Sequence, residues 1–280
     1  MKKFGFLLLA VLLIACGKQS AESVKLTILH TNDTHSRVLP DKKSGRGGYA
    51  RRMGLINKER ALDPDMILLD AGDFSQGTPY FNYFNGRVEM DAMNWMKYDA
   101  ATLGNHEFDN GLDTLAMVLK RADFPIVCAN YDFTGTVLEG LVKPYVILER
   151  KGVKVGVFGL GCYPYSVIDD ENFEGVRYLG NSTYDIPQQM ADTLRAQGCD
   201  VVICLSHQGT KQHGPGEPYD LEMVSKTRNI DVVIGGHTHQ LVTDTTIKNL
   251  DGKDIPLRQM KKQGEYLGKI MLYLSDKNEK

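Results

Sequence analysis

The chain offers no apolar run long enough to cross a bilayer, which takes about 20 residues; the one at its start, Phe4 to Ala15, covers twelve. It also lacks a bias of charge. Lys and Arg number 33 against 35 Asp and Glu, a formal net charge of −2. That balance argues for neither a nucleic acid polymer nor an acidic lipid surface as partner. Cysteine is sparse, five in 280 residues, with no Cys-x-x-Cys pair. Neither a dense disulfide framework nor a structural zinc site is expected. Cys128 and Cys204 lie inside apolar runs, and with Cys162 and Cys199 they read as buried free thiols. Low-complexity tracts and repeats are missing too. No linker after residue 25 is long enough to split the chain, so one domain is expected.

What is there begins with a leader. Lys2 and Lys3 precede the Phe4–Ala15 run, and a small residue closes it, the pattern of a secretory signal. Leu13-Ile14-Ala15-Cys16 resembles a bacterial lipobox. The resemblance implies a signal over 1–15, a lipid on Cys16 and a polar tether over 16–24. It also implies an exported bacterial lipoprotein, membrane-anchored at the periplasmic or cell surface.

Beyond the tether, apolar strand-like runs alternate with helix-like stretches. Strands are expected near 26–31, 65–70, 98–103, 125–129, 201–205, 231–234, 255–259 and 268–274. Helices are expected near 47–59, 88–97, 112–121, 186–197 and 221–228. In the 88–97 segment, Met90, Met93, Trp95 and Met96 read as one apolar face. Lys151-Gly152 between two apolar runs predicts a hairpin. The alternation predicts an α/β fold, and the hairpin makes its sheets mixed.

Five of the seven histidines stand in short blocks that follow these strands. The blocks are Asn32-Asp33-Thr34-His35, Gly72-Asp73, Gly104-Asn105-His106-Glu107, Ser206-His207 and Gly235-Gly236-His237-Thr238-His239. Strand ends are where an α/β fold assembles a site from distant segments. In an extended strand end, Asp33 and His35 would project to one side, as would His237 and His239. Asp73 could bridge two ions, while Asn105 offers an amide oxygen and His207 a nitrogen. An oxygen and nitrogen set without thiolate suits two divalent ions, Zn²⁺, Mn²⁺, Co²⁺ or Fe²⁺. Two ions about 3.5–4 Å apart acidify a bridging water and clamp the oxygens of an in-line displacement. His106 is left over, with Asp109 three residues on, which fits a general acid oriented by a carboxylate.

In order and content the blocks resemble the calcineurin-like metallophosphoesterase superfamily. Leu29 to His35, Gly72 to Thr78, Gly104 to Asp109 and Gly264 to Gly268 resemble its secreted 5′-nucleotidase branch. The resemblance implies a four-layer α/β/β/α sandwich over 25–280. It implies one metal on Asp33, His35, Asp73 and His239, and another on Asp73, Asn105, His207 and His237. His106 and Asp109 match the family's catalytic pair, and Asn105 also faces the phosphate. The implied activity is hydrolysis of phosphate monoesters, with a nucleotide or other phosphate ester as substrate. A 2′,3′-cyclic nucleotide phosphodiesterase and a nucleotide-sugar pyrophosphatase share the same core. So would a catalytic half, or a metal- or nucleotide-binding lipoprotein, that needs a separate specificity partner. The family's C-terminal domain, which stacks the base and holds the phosphate through arginines, is not found before Lys280. A separate protein resembling that domain is therefore an expected partner.

The remaining candidates have plainer readings. His30 is expected to be packed, and His213 solvated on a Gly/Pro loop that could overhang the cleft. Arg46, Arg51 and Arg52 are expected to be solvated. The aromatic run Pro79 to Phe84 is split between burial and covering the cleft, a base or a partner.

Overall fold

A computed structural model of the chain describes residues 23–180 and 183–275. The leader over 1–15 and Cys16 lie outside the described residues. Val24, the last residue assigned to the tether, pairs with Leu274 in the first strand.

Two mixed sheets dominate. The first has six strands in the order Gly268–Leu274, Val24–Thr31, Ile67–Asp70, Ala100–Thr102, Ile126–Val127 and Val142–Lys143. All neighbours are parallel except Gly268–Leu274 against Val24–Thr31. The second runs Leu241–Val242, Asp254–Met260, Val232–Gly235, Val201–Ser206, Val153–Leu160 and Tyr145–Arg150, with Thr246–Lys248 also on Asp254–Met260. The predicted hairpin at Lys151-Gly152 is present, joining Tyr145–Arg150 to Val153–Leu160.

Alternation along the strands sorts their side chains into three cores. Leu26, Ile28, Ile67 and Leu69 meet Val155, Val157, Ile203 and Ile234 between the sheets. The other face of the first sheet, with Leu29, Leu68 and Ala101, packs on Ile56, Met90, Met93 and Leu115. These last belong to helices Tyr49–Leu62, Arg87–Met96 and Gly111–Leu119. The outer face of the second sheet, with Phe158, Val202 and Val233, packs on Ala191, Leu194 and Met223. Those come from helices Asp185–Ala196 and Asp220–Ser225. The order is helix, sheet, sheet, helix, as the resemblance implied. The sheets approach closely where Gly159 lies against the first sheet. A Cβ there would sit 2.0 Å from the Val127 carbonyl oxygen.

Trp95 departs from its expected place, being 73 % exposed while Met90, Met93 and Met96 are buried. Five residues on from Met90 is roughly 140° around a helix, off the buried stripe. The aromatic run forms a helix the sequence reading did not place, Pro79–Phe84, capped by the Thr78 hydroxyl. Phe81 is buried and Tyr83 exposed, so the run divides between the two readings. Cys128, Cys162, Cys199 and Cys204 are free and buried. Burial pushes the Cys128 thiol up to about 12, which keeps it an inert thiol.

Candidate metal centre

The parallel strands of both sheets end on one edge, and each block begins where its strand stops. The backbone there differs from the extended form expected. Asp33 and His35 have φ of 47° and 44°, and His237 and His239 have 70° and 54°. Asp73 is left-handed as well, at 56°. Side-chain alternation therefore does not bring Asp33 to His35. A tightly curled turn does, tied to the next segment by Asp33 N–H to Gly72 O (2.9 Å) and His35 N–H to Asp73 O (3.0 Å). Asp and His tolerate this region better than most residues. Such strain gathers where the surroundings hold a site in place.

The curled turns converge. Asp33, His35, Asp73 and His239 each offer a donor atom, and these atoms lie within 4.8 Å of one another. His35 Nε2 is 2.9 Å from His239 Nε2, and His239 Nε2 is 3.4 Å from Asp33 Oδ1. Beside them stand the other three. His207 Nε2 is 3.1 Å from Asp73 Oδ2, and His237 Nδ1 is 3.1 Å from Asn105 Oδ1. Asp73 belongs to both groups.

Surrounding groups hold these atoms in place. His207 Nδ1–H donates to the Ala71 carbonyl (2.6 Å). A carbonyl only accepts, so this bond sets the tautomer and leaves Nε2 with its lone pair toward the cluster. Glu107 accepts from the backbone N–H of Asp73 (2.9 Å), Ser75 (3.0 Å) and Gly104 (2.7 Å). It staples the second block to the third. Asn32 donates to the Asp33 carboxylate and to Lys261 O (2.8 Å), and accepts from Met260 N–H (2.7 Å). Gln259 donates to Gly236 O (2.7 Å), steadying the last block. Glu107 and Asn32 stand inside the quoted blocks without an assigned role, and Gln259 gave no signal, because only the fold shows which N–H each meets.

The donors fit a cation. Asp33 and Asp73 are buried, and among the described residues their ion-pair partners are all histidines. His207 Nε2 is buried without a satisfactory hydrogen bond. Burial opposes the charge on Asp73, yet the surrounding imidazoles outweigh it and hold its carboxyl well below the usual range. Burial and the Asp73 charge push Glu107 the other way. Two buried carboxylates facing four imidazoles and an amide, with no Lys or Arg between them, form a hard donor set for a divalent ion.

At the rim, His106 Nδ1 lies 2.9 Å from Asp109 Oδ2. Its ring is partly exposed and edge-on to His35, 5.4 Å between centroids. Burial lowers its basicity, but the bond to Asp109 and the charges of Asp73, Asp109 and Glu107 together raise it more.

A model of the calcineurin-like phosphoesterase family matches residues 26–241. The chain belongs to this family. A venom 5′-nucleotidase of Crotalus adamanteus is 35% identical over 96% of this chain and 48% of its own. The crystal structure of a 5′-nucleotidase precursor from Thermus thermophilus superposes with a TM-score of 0.78 at 33% identity, over 89% of this chain and 51% of that one. The calcineurin-like phosphoesterase YfkN from Bacillus subtilis gives 0.76 at 32% identity, over 91% and 87%. The chain thus spans about half the length of the curated 5′-nucleotidases it matches.

Within this calcineurin-like fold the other candidates separate. His30 is packed, as expected. His213 is exposed, and its ring stands 5.7 Å from that of His237, so its loop does overhang the cleft. Arg46 is exposed and donates to Tyr266 Oη (3.1 Å). Arg52 corrects the expectation of a solvated charge. It is buried, with its guanidinium over the Tyr49 ring, because its position faces the sheet one turn before Ile56.

Proposed function

We propose that this chain is a two-metal hydrolase of phosphate monoesters, of the 5′-nucleotidase type. One observation carries the reading: Asp33, His35, Asp73 and His239 converge, and His207, Asn105 and His237 stand beside them around the shared Asp73. In this reading Asp33, His35, Asp73 and His239 hold one ion, and Asp73, Asn105, His207 and His237 the other. Bound there, Zn²⁺, Mn²⁺, Co²⁺ or Fe²⁺ ions supply an acidified water and neutralise phosphoryl charge.

The chain's own groups do the rest. Asn105 would give its amide oxygen to the second ion and its amide N–H to the phosphate. His106, fixed at Nδ1 by Asp109, has Nε2 left to bond a phosphoryl oxygen or to give its proton to the departing alkoxide. The shell of Glu107, Asn32 and Gln259 keeps the donors in register while substrate binds and leaves. The similarity to named 5′-nucleotidases favours nucleoside monophosphates as substrate class.

The test is turnover of p-nitrophenyl phosphate and AMP by protein loaded with Mn²⁺, Zn²⁺ or Co²⁺. Wild type is expected to release phosphate, and His106→Asn to lose about two to four orders of magnitude in rate. No turnover with any of these metals, in wild type and variant alike, refutes the enzymatic reading. Product analysis on 2′,3′-cyclic nucleotides and nucleotide sugars decides against the related diesterase and pyrophosphatase. The lipobox-like Leu13 to Cys16 supports an exported, lipid-anchored form. Palmitate labelling that survives Cys16→Ser rejects it. A separate specificity protein is the partner this reading allows, and its addition is expected to lower KM for AMP.

A further inference from the structure

The rim beside His106 carries an aromatic cluster that the hydrolytic chemistry does not use. Strand Val153–Leu160 ends at the metal edge, where Leu160 O accepts from His207 N–H (2.8 Å). The chain then enters a loop over 161–178. Three of its rings, Tyr163, Tyr165 and Tyr178, pack on one another at near right angles, with centroids 5.4, 5.6 and 6.2 Å apart. Tyr163 and Tyr178 are half-buried, while Tyr165 is 60 % exposed. Ordering a large ring and leaving it in water returns little stability. An ordered, exposed ring does serve a flat partner, which then binds without the cost of arranging it.

The cluster is fixed relative to the catalytic pair. Tyr178 packs on Tyr131 at 6.1 Å, and Tyr131 on Phe108 at 5.9 Å. Phe108 stands between His106 and Asp109 in the chain. Two hydrogen bonds clamp the loop on that side. Tyr131 Oη–H donates to Cys162 O (2.7 Å), and Asn172 Nδ2–H to Asp109 O (3.2 Å). From the other side comes the loop of His213, whose ring is 5.7 Å from that of His237. Gly214 N–H on the Glu217 carboxylate (3.1 Å) closes a turn that leads from His213 to Glu217. Burial pushes the Tyr178 hydroxyl up, and the nearby Glu217 charge adds to it. The tyrosines therefore stand along the rim that runs from His106 and Asp109 toward His237. A phosphate ester with a flat aromatic body reaches both the metal edge and these rings, whereas an aliphatic ester leaves the rings unused.

We propose that Tyr165, braced by Tyr163 and Tyr178, is the stacking surface for the base of a nucleotide whose phosphate sits at His106. This inference rests on the phosphate-site reading above and adds a determinant of specificity on the chain itself. Stacking uses the π face that every base has, so the surface takes purines of either kind.

The probes are the non-hydrolysable phosphonate analogues of AMP and of ribose 5-phosphate. Each is titrated into the metal-loaded protein while the Tyr165 ring resonances are followed by NMR and the affinity is measured by calorimetry. The AMP analogue is expected to shift those resonances saturably, and the ribose 5-phosphate analogue, which has no base, to leave them in place. Tyr165→Ala should weaken the AMP analogue roughly tenfold and leave the ribose 5-phosphate analogue unchanged. Tyr165→Phe, which keeps the ring, should bind as wild type. Tyr165 resonances unmoved by the AMP analogue overturn the proposal, whether or not the protein hydrolyses esters. Equal losses for both analogues in Tyr165→Ala overturn it too. So does a loss of AMP affinity in Tyr83→Ala, 79 % exposed on the aromatic helix, in place of Tyr165→Ala. A saturable shift without turnover of AMP refutes the hydrolase and leaves the base surface standing.

Discussion

A single methyl group at residue 104 is expected to disable the centre. Gly104 has no left-handed backbone requirement, so an alanine there is opposed by space alone. Its Cβ would stand 2.2 Å from Asp73 Oδ1, 2.7 Å from Asp73 N and 2.7 Å from His207 Nε2. A carbon needs about 3.5 Å from a non-bonded neighbour, so the carboxylate must retreat by roughly 1 Å. Asp73 has little freedom to do so. Its N–H is fixed on Glu107, and its Oδ1 accepts from His106 N–H at 3.0 Å. Overpacking of this kind costs about 1–3 kcal/mol in stability, and a displacement near 1 Å at a reacting centre costs about 100-fold in rate. Metal content by mass spectrometry, kcat/KM on p-nitrophenyl phosphate and thermal melting measure the three effects together. Gly104→Ala is expected to fold, to lose stoichiometric metal and to lose about two orders of magnitude in kcat/KM. Gly54→Ala is the control, because no atom lies within 4 Å of its Cβ position on an exposed helix turn. There, alanine should add up to about 1 kcal/mol and leave turnover alone. Wild-type metal content and turnover in Gly104→Ala would refute the reasoning that Asp73 and His207 meet at this point.

Three further outcomes follow from the same geometry. Glu107→Ala strips the acceptor from three buried N–H groups; at about 1 kcal/mol or more each the loss is at least about 3 kcal/mol, and an unchanged melting temperature would contradict the stapling role. Chelation by EDTA removes a ligand of the native state only, worth about 2.7 kcal/mol at a hundredfold excess over Kd, so the melting temperature should fall and recover with added Mn²⁺ or Zn²⁺. His30 has its folded pKa depressed from 6.5 to about 3 by burial and then by Arg258. The unfolded chain therefore takes up the proton first, and the stability present above pH 6.5 is lost as pH falls from there through 3, by about 1.4 kcal/mol per unit. Urea unfolding of His30→Leu at pH 6.5 and 4.5 should show its stability relative to wild type rising by about 2 kcal/mol, and parallel pH slopes would rule out a buried neutral imidazole.

The helices Tyr49–Leu62 and Asp185–Ala196 and the strands Val201–Ser206 and Gly268–Leu274 follow the sequence reading closely, because each rests on a local periodic pattern. The two-residue strands, such as Ile126–Val127 and Leu241–Val242, carry too little pattern to bound. Helix Pro79–Phe84 has four aromatics in six residues, which leaves no apolar period to follow.

The chemistry available is legible along the chain: three acidic or amide donors and four histidines, each just past a strand, with His106 and Asp109 three residues apart. Residue type and order along the chain are local properties, and they suffice for that. Tertiary structure alone decided how the donors meet. Asp33 and His35 reach one point through left-handed turns bonded to Gly72 and Asp73, and His207 reaches Asp73 across the gap between sheets. Long-range pairing also decided that Glu107 staples two blocks, that Arg52 is buried while Trp95 is not, and that the His30 ring packs on Gly268. Each of these depends on which distant backbone atom or side chain lies opposite, and no local pattern records that.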